Sequence, residues 1–223
     1  MRQRRVAGIE ERLLPYADLI LSRDSGSYDF LYYPRWYQRP SPRYKLPEGF
    51  SRTYVELGCG RGRFINALAA EDPEGLYIGA EGCKTIVIRA LEKTREAGLG
   101  NARYIDSFIN DMLTAFPEES LDGLFLNFSD PWPKERHAER RLTSPSKAAS
   151  YFQVVKSGGV VVLKTDGEAF YEYSRTAFLS TGFIIAEQPV KGVATRAIET
   201  PTEYEIKFRA EGKPIYSFIA TKL

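Results

Sequence analysis

The sequence predicts an α/β fold in which helices cover both faces of a mostly parallel sheet. From Thr53 onward, short apolar runs alternate with amphipathic segments, which is the pattern of parallel strands joined by crossover helices. A glycine-rich turn follows the first apolar run, and a polar and aromatic cluster follows the fourth. With 223 residues, the chain is long enough to bury the core of one full domain.

The strands and helices follow in order from this pattern. Strands are predicted at Thr53–Leu57, Leu76–Ala80, Ala102–Ile105, Leu121–Asn127, Val160–Lys164 and Phe183–Glu187. Helices are predicted at Gly62–Ala70, Cys83–Ala97, Ile109–Ala115, Thr143–Val155 and Glu168–Ser180. Gly98 suits the end of the second helix, and Pro145 suits the first turn of the fourth. The last two segments, Glu203–Arg209 and Ile215–Thr221, are predicted to pair as a hairpin around Gly212.

The first 50 residues are predicted to form a partly flexible arm that precedes the main domain at residues 51–223. The segment Val6–Leu21 is compatible with one helix. The segment Ser25–Pro47 is rich in tyrosine, proline and arginine and has no apolar period. We therefore expect a loop there that becomes ordered when a partner binds.

The composition limits the class of protein. Hydrophobic residues make up 43% and charged residues 27% of the chain, as in ordinary globular domains. No apolar run approaches the roughly 18 residues that a membrane helix needs, and no secretory apolar region follows the basic start. Cys59 and Cys83 form no CxxC pair, and His137 is the single histidine, so no metal site is expected. We expect a cytoplasmic protein with reduced thiols, as a monomer or a homodimer.

Basic residues cluster, although the formal net charge is only +2. One cluster heads the chain, a second is interleaved with tyrosines in the arm, and a third runs from Lys134 to Lys147. Basic residues with interleaved aromatic rings are typical of contacts to phosphates and bases. We therefore predict that Arg140 and Arg141 of the third cluster bind phosphates. The alternative is that these residues are ordinary solvated surface charge.

The glycine-rich turn carries the pattern ExGxGxG, with Glu56 followed by Gly58, Gly60 and Gly62. Glycine allows tight turns and lets a ligand approach the backbone closely. A dinucleotide loop has the pattern GxGxxG, and a carboxylate beside it would repel a diphosphate. Glu56 suits a cationic ligand instead, such as a sulfonium compound with an amino group. The alternative is a purely structural turn.

Glu81 ends the second predicted strand about 20 residues after the turn, where an acid can bind ribose hydroxyls. Together with Glu56 and the three glycines, it resembles the S-adenosylmethionine site of Rossmann-like methyltransferases. The alternative is that Glu56 and Glu81 are surface acids.

The segment from Asn127 to Lys134 places a carboxylate, aromatic rings and a cation directly after an apolar strand. Strands of such folds deliver side chains into a pocket at their carboxyl ends. Prolines on both sides of Trp132 fix the turn. A carboxylate at Asp130, with rings beside it, suits a flat ring that forms hydrogen bonds, such as a nucleobase. The alternative is a surface turn in which Trp132 is a buried anchor.

These motifs together are similar to those of the bacterial tRNA (guanine-N7)-methyltransferases. The similarity runs from about residue 53 to the C-terminus and includes Leu126–Lys134, Arg140-Arg141-Leu142-Thr143, Lys164-Thr165-Asp166 and Thr202-Glu203-Tyr204-Glu205. It implies the Rossmann-like class I methyltransferase fold, with a mostly parallel seven-stranded sheet, helices on both faces and a C-terminal antiparallel hairpin. It also implies transfer of a methyl group from S-adenosylmethionine to N7 of guanosine 46 in tRNA.

The resemblance also implies a role for each matching residue. Asp130 is expected at the catalytic centre, in contact with both cofactor and target base. The expected cofactor-binding residues are Glu56, Gly58, Gly60, Gly62, Glu81, Phe108, Asn127 and Asp130. Further expected contacts to tRNA are Lys134, Asp166, Thr202, Glu203, Tyr204 and Glu205. A methyltransferase of another substrate class and a non-catalytic RNA-binding domain remain the alternatives.

One position departs from the family pattern. The family usually has an acid after the third strand that reads the adenine amino group, and Phe108 stands at that position here. Asp106, Asp111 or Asn110 could supply a polar contact instead. Alternatively, backbone groups suffice and Phe108 packs on the adenine ring.

Overall fold

The computed structural model describes residues 8–21, 44–109, 112–186 and 192–223. The strands are β1 (Arg52–Leu57), β2 (Gly75–Ala80), β3 (Ala102–Ile105), β4 (Leu121–Asn127), β5 (Val155–Thr165), β6 (Ile184–Ala186) and β7 (Tyr216–Thr221). The α-helices are α1 (Ile9–Leu13), α2 (Arg63–Glu71), α3 (Lys84–Glu96), α4 (Met112–Ala115), α5 (Pro145–Val154), α6 (Glu168–Ser180), α7 (Val193–Glu199) and α8 (Glu203–Ala210). Short 3₁₀ helices span Leu14–Leu19 and Glu135–Arg140.

The strands form one sheet in the order β3-β2-β1-β4-β5-β7-β6. Strands β1 to β5 are parallel, and β7 runs antiparallel between β5 and β6. The chain order reverses between β1 and β4, where Leu57 lies beside Leu126. In open α/β sheets, ligands bind outside the carboxyl ends of the strands at such a reversal. The predicted fold class is confirmed, and this edge is where a site is expected.

Apolar side chains cover both faces of the sheet, because successive residues of a strand point to opposite sides. Val55 and Leu124 belong to a cluster that includes residues of α5 and α6. Tyr54 and Phe125 belong to a second cluster on the other face, with residues of α2, α3 and α7. Every residue of β2 is buried, as expected for an inner parallel strand.

The described parts of the N-terminal arm pack on the domain. The helix predicted for Val6–Leu21 is wrong in its described part, because an α-helical turn ends at Leu13 and a 3₁₀ helix with Pro15 in its first turn follows. Proline suits a first helical turn and interrupts a longer helix. Ile20 then forms a parallel bridge with Tyr104 of β3. Most of the predicted loop up to Pro47 lies outside the described residues.

The C-terminal prediction needs a correction. The segment Glu203–Arg209 is not a hairpin strand but lies in helix α8. Thr202 caps this helix, because its hydroxyl oxygen accepts a hydrogen bond of 3.0 Å from the backbone N–H of Glu205. The antiparallel ending consists instead of β6 and β7, whose residues Ala186 and Ile219 pair. Within the described ranges, no helix has the length and apolar character needed to cross a membrane.

Candidate active site

A cavity of about 710 Å³ opens at the carboxyl ends of β1, β2 and β4. It brings together most of the predicted site residues, namely Glu56, Gly58, Gly60, Glu81, Phe108, Asn127, Asp130, Arg140, Thr202, Glu203 and Tyr204. Arg61, Arg63, Lys147 and Lys207 also line it, so its lining carries cations as well as acids. The parallel register places the ends of these strands side by side, which explains why motifs far apart in sequence meet here.

The glycines of the glycine-rich turn have two different roles: two of them face the cavity and the third allows helix packing. Gly58, Gly60 and Gly62 all have positive φ angles, of 78°, 56° and 74°, which other residues rarely adopt. A Cβ atom at Gly58 or Gly60 would meet no atom within 4 Å, so these glycines face open space at the cavity. A Cβ atom at Gly62 would lie 2.7 Å from the Cβ of Ala90 on α3. Gly62 therefore allows helix packing and does not line the cavity.

Glu81 supports the turn from the end of β2. Its two carboxylate oxygens accept hydrogen bonds from the backbone N–H groups of Gly60, at 3.2 Å, and Cys83, at 2.8 Å. A carboxylate has about four acceptor positions, so Glu81 keeps acceptor capacity for a ligand in the cavity. The residue thus joins the glycine turn to the start of α3.

Glu56 is a buried acid at the base of the cavity. Its Oε1 accepts a hydrogen bond of 2.9 Å from the side-chain amide of Asn127, which comes from the neighbouring strand. Burial raises the pKa of Glu56 to about 8, although the hydrogen bond from Asn127 and the charge of Lys164 both lower it. In the described part of the chain, Glu56 Oε2 and Asn127 Oδ1 are buried without a hydrogen-bond partner. Such unpaired acceptors can take a donor from a bound ligand or from ordered water.

The loop after β4 presents Asp130 at the cavity. The side chain of Asp130 is exposed there. Phe128 and Trp132, on either side of it, have left-handed φ angles of 50° and 39°. Such angles are uncommon for large side chains and cluster at functional sites. The loop that contains these two residues therefore carries Asp130 at the cavity.

Arg141 anchors this loop through hydrogen bonds to its backbone oxygens. Its guanidinium donates to the backbone oxygens of Pro131, at 3.0 Å, and Trp132, at 3.1 Å, and lies 4.2 Å from the ring centre of Tyr173. Arg141 is only 8% exposed. This placement argues against the predicted phosphate contact and assigns Arg141 to positioning the loop. Arg140, in contrast, is exposed and lies over the ring of Trp132 at 5.1 Å.

A buried ion pair fixes α8 against the sheet. Lys164 Nζ donates to Glu205 Oε2, at 2.9 Å, and to the backbone oxygen of Thr200, at 2.8 Å. Arg209 donates to the other oxygen of Glu205 at 2.7 Å. Burial lowers the pKa of Lys164, and the ion pair with Glu205 opposes that effect. Because Glu205 is 2% exposed, its geometry argues against the predicted direct contact to tRNA.

The first turn of α8 forms one wall of the cavity. Thr202, Glu203 and Tyr204 line it, and Tyr204 stacks on Phe128 with ring centres 6.2 Å apart. Lys134 and Asp166 are exposed but do not line the cavity. Their predicted contacts to tRNA therefore require a substrate that extends beyond the cavity. Among the described residues, no cluster of His, Cys, Asp and Glu side chains could hold a metal ion.

Comparison with known proteins gives the family. A family model for methyltransferases matches residues 51–218. A tRNA (guanine-N(7)-)-methyltransferase of Bacillus licheniformis is 35% identical over 170 residues, which cover 73% of this chain and 77% of that protein. A protein of the same name from Oceanobacillus iheyensis is 38% identical, covering 73% of this chain and 77% of its own length. The chain belongs to this family.

Solved structures show the same fold at lower identity. The 16S rRNA methyltransferase KamB is 13% identical and superposes with a TM-score of 0.58, covering 82% of this chain and 97% of that one. The antibiotic-resistance methyltransferase Kmr is 17% identical with a TM-score of 0.52, covering 78% and 88%. These similarities confirm the Rossmann-like class I methyltransferase fold.

Two structural roles in this methyltransferase were missed from the sequence. The buried pair of Lys164 with Glu205 has a sequence signal, because Lys164 directly follows the apolar run Val160–Leu163 and a lysine in an inner strand needs a partner. The position of Arg141 under the loop has no such signal, because its neighbours Arg140 and Arg136 are exposed and of the same type.

Proposed function

We propose that this chain transfers the methyl group of S-adenosylmethionine to N7 of guanosine in tRNA, at position 46 of the variable loop. The observation that carries the proposal is the pair of buried, unpaired acceptors on Glu56 and Asn127, in one cavity with Asp130. The names of the relatives described above support the reaction and the substrate class.

The residues at the cavity fit S-adenosylmethionine. Glu56 Oε2 and Asn127 Oδ1 would accept hydrogen bonds from its ammonium group, which has three donors. The open faces of Gly58 and Gly60 leave room for its chain against the backbone. The remaining acceptor capacity of Glu81 would serve the ribose hydroxyls, by the role that acids have at this position in such folds.

The reaction needs little acid–base catalysis from the protein. When bound, the cofactor supplies an electrophilic methyl group. Guanine N7 carries a free lone pair, so no general base is needed to activate it. The protein's task is alignment, which can contribute up to about 10 kcal/mol to lowering the barrier. Asp130 would accept hydrogen bonds from guanine N1–H and the 2-amino group, and its negative charge favours the cationic product.

The rim of the cavity would bind the rest of the tRNA. Arg140 is an exposed cation in the cavity that Asp130 also lines, Lys207 lines it from α8, and Lys134 is an exposed cation outside it. Because the formal net charge is only +2, attraction to phosphates must come from such local clusters. Tyr204 and Asp166 would contact parts of the substrate outside the reaction centre.

We also propose the division into an arm at residues 1–50 and a catalytic domain at residues 51–223. The basic and aromatic residues of the arm support a role in gripping tRNA. Action in the cytoplasm follows from the proposed substrate.

The function can be tested with labelled S-adenosylmethionine and three acceptors, namely tRNA, ribosomal RNA and bulk protein. Digestion of the tRNA should give 7-methylguanosine, and a transcript with adenosine at position 46 should give none. The variant Asp130→Asn keeps the shape of the side chain and serves as the matched control. Label in ribosomal RNA or protein, without 7-methylguanosine in tRNA, would refute the proposal.

A further inference from the structure

Phe108 is a large apolar side chain that the fold leaves exposed at the cavity. Its side chain is 68% exposed, whereas neighbouring Ile109 packs partly against the core. An exposed aromatic ring in a pocket is available to pack on a flat ligand.

The backbone of Gly82 lies directly under the Phe108 ring. A Cβ atom added at Gly82 would lie 2.4 Å from three carbons of that ring. The φ angle of Gly82 is not in the left-handed region, so the backbone conformation does not require glycine here. The missing side chain at residue 82 therefore makes the space that the ring of Phe108 occupies.

The position of this ring identifies the part of the cofactor that it would meet. In the proposed function, Glu56 and Asn127 bind the amino acid end and Glu81 binds the ribose, and all three residues line the cavity. Gly82 directly follows Glu81 at the end of β2. The nucleobase is attached to the ribose on the side away from the amino acid, so its flat face would come next to Phe108.

We propose that the Phe108 ring, packed on Gly82, is the stacking surface for the adenine of S-adenosylmethionine. This inference rests on the proposed function and gives the adenine subsite a stacking contact in place of a carboxylate. Asp106, the described acid closest to Phe108 in sequence, lies 3.3 Å from Lys84 and does not line the cavity. Stacking does not read the 6-amino group, so the site should accept other purines in place of adenine.

Calorimetry with S-adenosylhomocysteine tests the stacking contact without requiring turnover. Phe108→Ala should weaken binding at least tenfold, Phe108→Leu should be intermediate, and Phe108→Trp should bind within threefold of the wild type. Leu179→Ala removes another exposed apolar side chain, on α6, and serves as the control with unchanged affinity. Wild-type affinity in both Phe108→Ala and Phe108→Leu would overturn the proposal.

Two further comparisons test the packing and the base specificity. Gly82→Ala should weaken binding of S-adenosylhomocysteine to the wild type, because the added methyl group displaces the Phe108 ring. The same substitution should change the affinity little in the Phe108→Ala background, where no ring is present. Fully additive effects would contradict the packing. The hypoxanthine analogue of S-adenosylhomocysteine should bind within threefold of the parent, whereas a hundredfold loss would show that a polar group reads the amino group.

These outcomes are separate from the fate of the proposed function. If the wild type binds S-adenosylhomocysteine through Phe108 but does not methylate tRNA, the function fails and the stacking contact stands. If the wild type methylates tRNA and Phe108→Ala binds the ligand normally, only the stacking proposal fails.

Discussion

Asn127 donates a hydrogen bond of 2.9 Å to Glu56 across the junction of β1 and β4, and it leaves the second carboxyl oxygen of Glu56 unpaired and buried. Burial raises the pKa of Glu56 from 4.5 to about 8. We therefore expect Glu56 to be protonated in the free protein at neutral pH. A cationic ligand beside the unpaired oxygen favours the ionised form, so binding and proton release are coupled.

We expect the binding of S-adenosylhomocysteine at pH 7 to release about one proton, since its ammonium group lowers the pKa of Glu56. Affinity should rise between pH 6 and pH 8 by up to about tenfold per unit. Calorimetry in two buffers of different ionisation enthalpy measures the released proton directly. Glu56→Gln should bind more weakly and release none. No proton release from the wild type would show that Glu56 is already ionised in the free protein.

The same pKa shift predicts how the stability of the free protein depends on pH. Between 4.5 and about 8 the folded protein binds more protons at Glu56 than the unfolded chain does. The contribution of Glu56 to the free energy of unfolding is therefore fully present below 4.5 and is lost as pH rises through about 8. Urea unfolding of the wild type and Glu56→Gln across this range should show a difference that grows with pH. Parallel curves for the two proteins would contradict the assignment.

Removal of Lys164 should destabilise the protein and detach one wall of the cavity. Lys164→Met leaves Glu205 buried with Arg209 as its remaining ion-pair partner, so the cost should approach, as an upper bound, the roughly 3–5 kcal/mol of a buried charge that has lost its partner. The double variant Lys164→Met with Glu205→Leu replaces the pair by apolar groups and should recover much of that loss. Urea unfolding measures both free energies. Equal destabilisation of the single and double variants would show that packing, rather than the unpaired charge, accounts for the cost.

The two neighbouring arginines should differ in effect. Arg140→Ala removes an exposed cation and should reduce the salt dependence of tRNA binding by about one unit of slope. Arg141→Ala removes support for the loop and should lower turnover while leaving that slope unchanged. Binding measured from 50 to 300 mM salt separates the two. A reduced salt dependence of tRNA binding in Arg141→Ala would show that Arg141 contacts phosphates after all.

Asp130→Asn should lose most turnover while its affinity for S-adenosylhomocysteine stays within about tenfold of the wild type. The reason is that amide and carboxylate have the same shape, but only the carboxylate accepts hydrogen bonds at both terminal atoms, as the N1–H and 2-amino group of guanine require. The carboxylate also carries the charge that favours the product. Single-turnover methylation of tRNA and calorimetry measure the two effects. Normal turnover would remove Asp130 from the reaction centre.

Strong local patterns allowed most of the fold to be predicted. The bounds predicted for β3, β4 and α6 agree with the structure, because apolar period and flanking turns are unambiguous there. Helix α8 was predicted as a strand because Tyr204, Ile206 and Phe208 alternate with charged residues. Tyr204 and Ile206 are exposed rather than buried in a sheet, and the helix is held by its cap at Thr202 and by buried Glu205.

The sequence predicted which residues belong to the site, but it did not predict the different role that each one has. Sequence motifs located Glu56, Glu81 and Asp130 at the carboxyl ends of strands, because parallel strands bring those ends to one edge. They could not separate exposed Arg140 from buried Arg141, since burial depends on packing against Tyr173 and the loop backbone. The direction of a side chain on an irregular segment has no signature in the spacing of residues.

The tight contact between Gly62 and α3 means that the glycine-rich motif meets two separate requirements. Gly62 is needed for packing of the fold, and Gly58 is needed for the approach of a ligand. A methyl group at residue 62 would push Ala90 and the hydroxyl of Tyr104 aside. A substitution at this position would therefore lower the stability of the fold. A methyl group at residue 58 would have room but a strained backbone beside the ligand. A homologue that has abandoned methyl transfer should therefore lose Gly58 more readily than Gly62, because residue 58 meets backbone strain alone, whereas residue 62 meets strain and a steric clash.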